Sequence, residues 1–189
     1  MSIIVKNLNK SFGENQVLNN FSCEFKQGEI TCIMGASGCG KTTLLQILLG
    51  LLNADNGEIS GISDKKISVV FQENRLCNNI SSSANIRLVN QTVTKSDAVK
   101  MLKSVGLSDV STKPARELSG GMKRRVAILR ALAANCDIII LDEPFKGLDD
   151  DTKEETMNYF KAQTIGKTVI MVTHDKDETK FFGANVINM

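Results

Sequence analysis

Along this chain, short apolar runs of strand length alternate with longer stretches whose apolar residues recur at helical spacing. Ile3 to Phe12 and Val17 to Phe25 read as two strands joined at Gly13-Glu14-Asn15, a hairpin-type turn. Gln27-Gly28-Glu29 turns the chain into a third strand, Ile30 to Met34. Thr43 to Leu49 is strongly apolar and helix-like, and the turn formers Asn53 to Gly57 place its end near Asn53. Short strands follow at Glu58 to Ile62 and Ile67 to Phe71. From 73 to 117 strand-like runs vanish, and Asn79, Ser81, Ser82, Ser83 and Asn85 form a polar stretch. Thr94-Lys95-Ser96-Asp97 then makes a capping box, with Ala98, Met101, Leu102 and Val105 behind it at helical spacing. This segment reads as a small helical insertion.

The same reasoning carries through the second half. Met122 to Asn135 is a helix with Val126, Leu129, Leu132 and Ala133 on one apolar face. Lys123, Arg124, Arg125 and Arg130 fall mostly off that face and read as solvated. Ile138 to Leu141 and Thr168 to Val172 are continuous apolar runs, as expected of strands buried on both faces. Between them a helix runs from about Asp151, capped by Asp151-x-x-Glu154, towards Thr164; a short helix and the strand Asn185 to Met189 follow. Strand, helix, strand alternation predicts an α/β fold with a parallel sheet, one domain over 1–189 with 73–117 as its insertion.

Composition narrows the classes. The chain is 42% hydrophobic and 23% charged with a net charge of +2, an ordinary globular mix that gives no reason to expect nucleic acid as a partner. The longest apolar run, Leu44 to Leu52, is broken by Gln46 and Gly50 and falls short of the ~18 residues of a spanning helix. Met1 to Lys6 lacks the long apolar region of a secretory leader, so a cytoplasmic protein is expected. The five cysteines form no C-x-x-C pair and His174 is the only histidine, so no zinc site is expected.

The chemistry centres on Gly35-Ala36-Ser37-Gly38-Cys39-Gly40-Lys41-Thr42-Thr43, which fits the phosphate-binding pattern G-x-x-x-x-G-K-[ST]. Its glycines let the backbone curl with N–H groups inward, Lys41 adds a positive charge for the β- and γ-phosphates, and Thr42 offers a hydroxyl to Mg²⁺. A strand before the loop and a helix after it add orphan N–H groups and a dipole that favour an anion. Cys39 reads as filling a small-residue position; the alternative is a thiol activated by the helix N-terminus. Asp142 and Glu143 end an apolar strand, where Asp142 can hold Mg²⁺ and Glu143 can orient or deprotonate an attacking water. His174 ends another strand, and ligands of parallel sheets sit at strand carboxyl ends. Ser119-Gly120-Gly121 opens a second glycine-rich helix, a second anion site beside a loop that already cradles one triphosphate. Either two ligands or one ligand clamped between two molecules would explain it.

Gly35 to Thr42, Gln72, Leu118-Ser119-Gly120-Gly121, Ile138 to Glu143, Gly147-Leu148-Asp149 and His174 stand in an order that resembles the ATP-binding cassette (ABC) ATPases. The resemblance covers nearly the whole chain. It implies a P-loop NTPase fold with an antiparallel β subdomain and a helical insertion, binding ATP and Mg²⁺. It further implies a head-to-tail dimer in which Ser119, Gly120 and Gly121 of one subunit cap the ATP held by the other. By the same resemblance Phe12 stacks on adenine, Gln72 touches Mg²⁺ and the attacking water, Glu143 is the general base, His174 contacts the γ-phosphate, and Asp149 lies at the dimer interface. Phe71 to Leu76, Met122 and Pro144-Phe145 resemble importer ATPases of the nitrate, sulfonate and taurine type. Met122 in place of glutamine, Lys146-Gly147 before Leu148-Asp149, and an end at Met189 without the usual C-terminal extension depart from the pattern. The implied function is the ATP-hydrolysing subunit of a transporter, peripheral on the inner face of the cell membrane. Its implied partners are a transmembrane permease and a second ATPase subunit, with room for a substrate-binding protein. Alternatives are a soluble, non-transport ABC ATPase and a P-loop phosphotransferase; the latter leaves Leu118 to Gly121 unexplained.

Overall fold

A computed structural model of the chain describes residues 2–189. In chain order the elements are β1 (Ile3–Phe12), β2 (Asn15–Phe25), β3 (Ile30–Met34), α1 (Lys41–Leu48), β4 (Asn56–Ser60) and β5 (Ile67–Val70). There follow α2 (Ser82–Arg87), α3 (Lys95–Lys103), a 3-10 turn at Ala115–Glu117 and α4 (Gly120–Ala133). The chain finishes with β6 (Ile138–Asp142), α5 (Asp150–Gln163), β7 (Thr168–Val172), α6 (Lys176–Phe182) and β8 (Asn185–Asn188). Among the described residues no helix is long and apolar enough to cross a membrane.

The residues fall into two compact units. The first comprises the chain up to Ile67, Asp137–Asp142 and Gly166–Met189. It holds an antiparallel sheet in the order β2-β1-β4 and the parallel strands β6-β7-β3-β8. Every residue of β6 and β7 is buried, which accounts for their unbroken apolar runs. In β1 the buried positions are Ile3, Val5 and Leu8, and the strand is bulged where Asn7 takes a positive φ of 49°. The turn between β1 and β2 is tighter than expected. Phe12 pairs with Asn15, so Gly13-Glu14 alone makes the turn, and β2 begins at Asn15 rather than Val17. Helix α1 stops at Leu48, short of Asn53, because Gly50 takes a left-handed φ of 69° and its N–H turns back to the Ile47 carbonyl. The strand expected at Glu58 to Ile62 sits two residues earlier, at Asn56–Ser60.

The second unit comprises Ser68–Cys136 and Glu143–Ile165. Its core gathers Ile86 from α2, Ala98 and Leu102 from α3, and Val126 and Leu129 from α4. The capping box on α3 forms as the sequence requires, with Thr94 and Asp97 bonding each other's backbone N–H. The polar stretch behaves otherwise than a solvated loop. Ser82, Ser83 and Asn85 are buried on α2, and Ser83 donates to the Ser111 carbonyl at 2.7 Å. Helix α4 begins at Gly120, since Ser119 caps it by accepting from the Met122 N–H. Helix α5 is capped by Asp149, which accepts from the Thr152 N–H at 3.0 Å; Asp151 lies inside its first turn. The arginines of α4 correct a further expectation. Arg124 is buried, and Arg125 and Arg130 are partly buried, because each finds backbone carbonyls to bond: Phe71 and Gln72, Val105, and Arg75 respectively.

Candidate functional site

In the first unit the glycine loop joins β3 to α1. Helix α1 has no side-chain cap and no acidic residue in its first turn. The other five α-helices are each capped by a side chain, from Ser81, Thr94, Ser119, Asp149 and Asp175. The first N–H groups of α1 therefore stand ready for an external anion. Gly40 precedes the helix at φ 105°, and a Cβ there would lie 3.0 Å from Val17 and Leu18, so only glycine lets the loop pack on β2. A Cβ on Gly35 would lie 2.6 Å from the Met189 carbonyl oxygen and 2.8 Å from Cys39 Sγ, so the loop has no room for a side chain there. Ala36, Ser37 and Gly38 are exposed, and Thr43 is partly buried.

Lys41 is only 6% exposed, and its ammonium donates to the carbonyls of Gly35 at 2.9 Å and Ala36 at 2.7 Å, with Cys39 Sγ 3.7 Å away. Its positive charge is thus held inside the loop. Thr42 Oγ1 donates to Asp142 Oδ2 at 3.2 Å, joining the loop to the end of β6. A hydroxyl and a carboxylate so placed are hard oxygen donors suited to Mg²⁺. His174 follows β7, the strand between β6 and β3, and is exposed. Its neighbour Thr173 is buried, donates to Glu178 Oε2 at 2.5 Å and accepts from the Asp175 N–H at 3.0 Å. These bonds fix the turn that carries the histidine. The parallel run of β6, β7 and β3 brings Asp142, His174 and the glycine loop to one edge of the sheet. Phe12, which could have been core, is exposed, with the Lys10 ammonium 5.5 Å from its ring centre. Lys10 bonds Asp55 at 2.6 Å, and this contact, with the Ser11 N–H second, holds the Asp55 carboxyl below the usual carboxylate range.

In the second unit Ser119 and Gly120 are exposed, and a Cβ on Gly120 would meet nothing within 4 Å. Gly121 is different: a Cβ there would come within 3.3 Å of the Leu148 side chain. Glu143 adopts a left-handed φ of 47°, unusual outside glycine, and such backbone strain clusters at functional sites. Its side chain is 12% exposed and accepts from Lys146 Nζ at 2.5 Å. Asp149 is held below the usual carboxylate range first by the Thr152 N–H and then by the Thr152 hydroxyl, with Arg125 a smaller contributor. Gln72 is exposed, and its backbone carbonyl accepts from Arg124. Sequence reasoning missed Arg124. The signal was present, because Ala127, Ile128 and Ala131 continue from it at i+3, i+4 and i+7 as a second buried stripe. It noted Lys146 only as a departure and saw no partner for it.

An ABC transporter family model matches residues 18–146. The sulfate/thiosulfate import ATP-binding protein CysA of Neisseria meningitidis serogroup A is 35% identical over 94% of this chain and 56% of its own length. The protein of that name in Escherichia coli K12 is 34% identical over all of this chain and 58% of its own. The chain thus spans a little over half the length of these relatives. A dimeric ATP-binding cassette in a post-hydrolysis state, bound to ADP and Pi, superposes with a TM-score of 0.85 at 32% identity, covering 99% of this chain and 94% of that one. A dimeric bacterial ABC transporter cassette gives 0.86 at the same identity and coverage.

Proposed function

The chain belongs to the ABC transporter family, and we propose on that premise that it is the ATP-binding and hydrolysing subunit of a transporter of the importer type. It powers transmembrane transport as a head-to-tail dimer. The observation that carries the reading is the uncapped start of α1 with Thr42 Oγ1 and Asp142 Oδ2 in contact at 3.2 Å beside it. That is an anion cradle and a hard-cation site in one place.

The roles are those the family resemblance implies, each taken with the chemistry of its group. The N–H groups of Gly35 to Thr43 and the Lys41 ammonium bind the triphosphate, and Phe12 offers its exposed ring to the adenine. Thr42 and Asp142, with Gln72 by the family resemblance, would hold Mg²⁺, which would neutralise charge on the phosphate oxygens. Glu143 takes a proton from the attacking water or orients it, and His174 contacts the γ-phosphate. Ser119, Gly120 and Gly121 of one subunit close on the ATP of the other. The open exposure of Ser119 and Gly120 and the dimeric state of the two structural relatives support this. Asp149 belongs to the same interface. Residues 1–189 act as one cassette with 73–117 as its helical insertion, and motion passes from the dimer to a transmembrane permease. The subunit sits on the cytoplasmic face of the cell membrane, and a substrate-binding protein serves the assembly from outside.

Glu143→Gln tests the reading. It keeps ATP binding and lowers turnover roughly 10²- to 10⁴-fold, the usual worth of a general base. With ATP the variant doubles its mass in light scattering. Near-normal hydrolysis by the purified variant would remove Glu143 from this role, and ADP formation by the wild-type chain only when a phosphate acceptor is present, with the phosphoryl group on that acceptor, would favour a phosphotransferase.

A further inference from the structure

The Cα of Gln72 lies between two peptide groups, and one side chain grips both. Arg124 donates from Nη1 to the Phe71 carbonyl at 2.6 Å and from Nη2 to the Gln72 carbonyl. These carbonyls belong to the peptide planes before and after that Cα. With both planes held, φ and ψ of Gln72 have little freedom, and the direction in which its side chain leaves the backbone is set. The planar guanidinium suits the task, since its donors form a rigid fork that a lysine ammonium does not offer. Arg124 is 7% exposed, and Ala127 and Ile128, one turn further along α4, are buried with it. The surrounding loop is fastened to the same helix. Arg130 Nη1 donates to the Arg75 carbonyl at 3.0 Å, and the Arg75 guanidinium stacks on the Phe71 ring at 3.8 Å.

The geometry points to Arg124 as a positioning residue that acts through Gln72 and ties it to the helix that starts at Ser119-Gly120-Gly121. This rests on the reading of Gln72 as the residue that meets the metal and the attacking water. Its consequence is mechanical. A shift of α4 carries Gln72 with it, so engagement of the Ser119 helix by a second subunit is felt at Gln72 through Arg124. Burying a guanidinium only to fill space would be costly, and an apolar side chain would fill the same volume. Paired to both carbonyls around one functional residue, it serves that residue's orientation.

A double-variant cycle on the chain separates positioning from mere support. Measured quantities are kcat and KM for Mg-ATP, with thermal unfolding alongside. Arg124→Met lowers kcat by roughly tenfold or more, the scale expected for misplacing a group at the reacting centre. KM stays within about twofold of wild type, because the Lys41 and Thr42 contacts are untouched. Arg124→Lys, which keeps the charge and donors but lacks the rigid planar fork, falls between the two. Gln72→Ala also lowers kcat, and adding Arg124→Met to Gln72→Ala costs no further activity. Losses that multiply in the double variant, or wild-type kcat in Arg124→Met, overturn the proposal. Should Arg124→Met lose its cooperative unfolding transition, the cycle runs with Arg124→Lys, and multiplying losses there overturn it equally. A wild-type chain without ATPase activity, or a Gln72→Ala variant with full activity, overturns instead the reading on which it rests.

Discussion

Replacing Asn85 isolates the energetic weight of one buried polar hub. The residue is fully buried, with 0% of its surface exposed. Its Oδ1 accepts from the Cys77 N–H at 2.8 Å, and its Nδ2 faces the carbonyls of Cys77 at 3.0 Å, Ser81 at 3.1 Å and Ile80 at 3.3 Å. An amide nitrogen has two hydrogens, so one of the three carbonyls shares. Asn85→Leu keeps the branched outline and removes every side-chain bond. Each buried backbone group left unpaired costs about 1–3 kcal/mol. The Ser81 and Ile80 carbonyls keep one backbone donor each, the Asn85 N–H at 2.9 Å and the Ala115 N–H at 3.0 Å, and Cys77 is exposed to water. The variant therefore loses bonds worth about 0.5–1.5 kcal/mol each without orphaning those carbonyls, a loss of about 2 kcal/mol. Against a domain stability of roughly 5–15 kcal/mol that is a substantial share, and it lowers Tm by roughly 4–8 °C for a chain of this size.

Asn85→Asp sharpens the test. A carboxylate has the same shape and no donor, so carbonyls that faced an amide N–H now face an anion. Burial and those carbonyls favour the neutral acid and raise its folded pKa above the unfolded value of about 3.9. The native state then binds more protons than the unfolded one, so stability is retained below the unfolded pKa and lost as pH rises through the folded one. Urea unfolding followed by circular dichroism at about pH 5 and pH 8 reads this directly, with the aspartate variant weaker relative to wild type at the higher pH. A loss under about 1 kcal/mol in Asn85→Leu, or an aspartate variant whose deficit does not change with pH, would refute the reasoning.

Two further predictions concern the site itself. Lys146→Ser releases Glu143 Oε2 from an ion pair whose lysine is 63% exposed, and pairs so exposed are worth at most about 1 kcal/mol, so steady-state kcat rises by up to about fivefold. A fall in kcat would mean that the ammonium orients the carboxylate rather than occupying it. Gly40→Ala puts a Cβ 3.0 Å from Val17 and Leu18 at a φ of 105°, a strain of about 1–2 kcal/mol in the phosphate loop. ATP affinity by calorimetry falls roughly tenfold, and unchanged affinity would show that the loop yields at that point.

Much of this protein was readable locally. The glycine loop between β3 and α1, the apolar strands β6 and β7, and the Thr94–Asp97 box depend on residues a few positions apart, so propensity, pattern and capping all act within the stretch that encodes them. The family motifs are equally compact. Even so, a local rule failed at α5. Asp149 and Asp151 both offer a cap, and the helix takes Asp149, where Gly147 at φ 78° and the packing of Leu148 near Gly121 set down the chain. Asn85 and Arg124 belong to a different class. Polar side chains default to solvent when their partners are unknown, and the sequence by itself supplied no partner.

Tertiary structure decided those partners. Arg124 meets Phe71 and Gln72 across 53 and 52 positions, and Thr42 meets Asp142 across 100. A buried guanidinium is tolerated only where an acceptor is brought to it, and strand order and helix packing bring such partners together. What the sequence determined alone was which residues are candidates for phosphate chemistry and on which elements they stand. Which of its charged and polar side chains are buried, and what each one holds in place, followed from the fold, because hydrogen bonding depends on proximity in space and not along the chain.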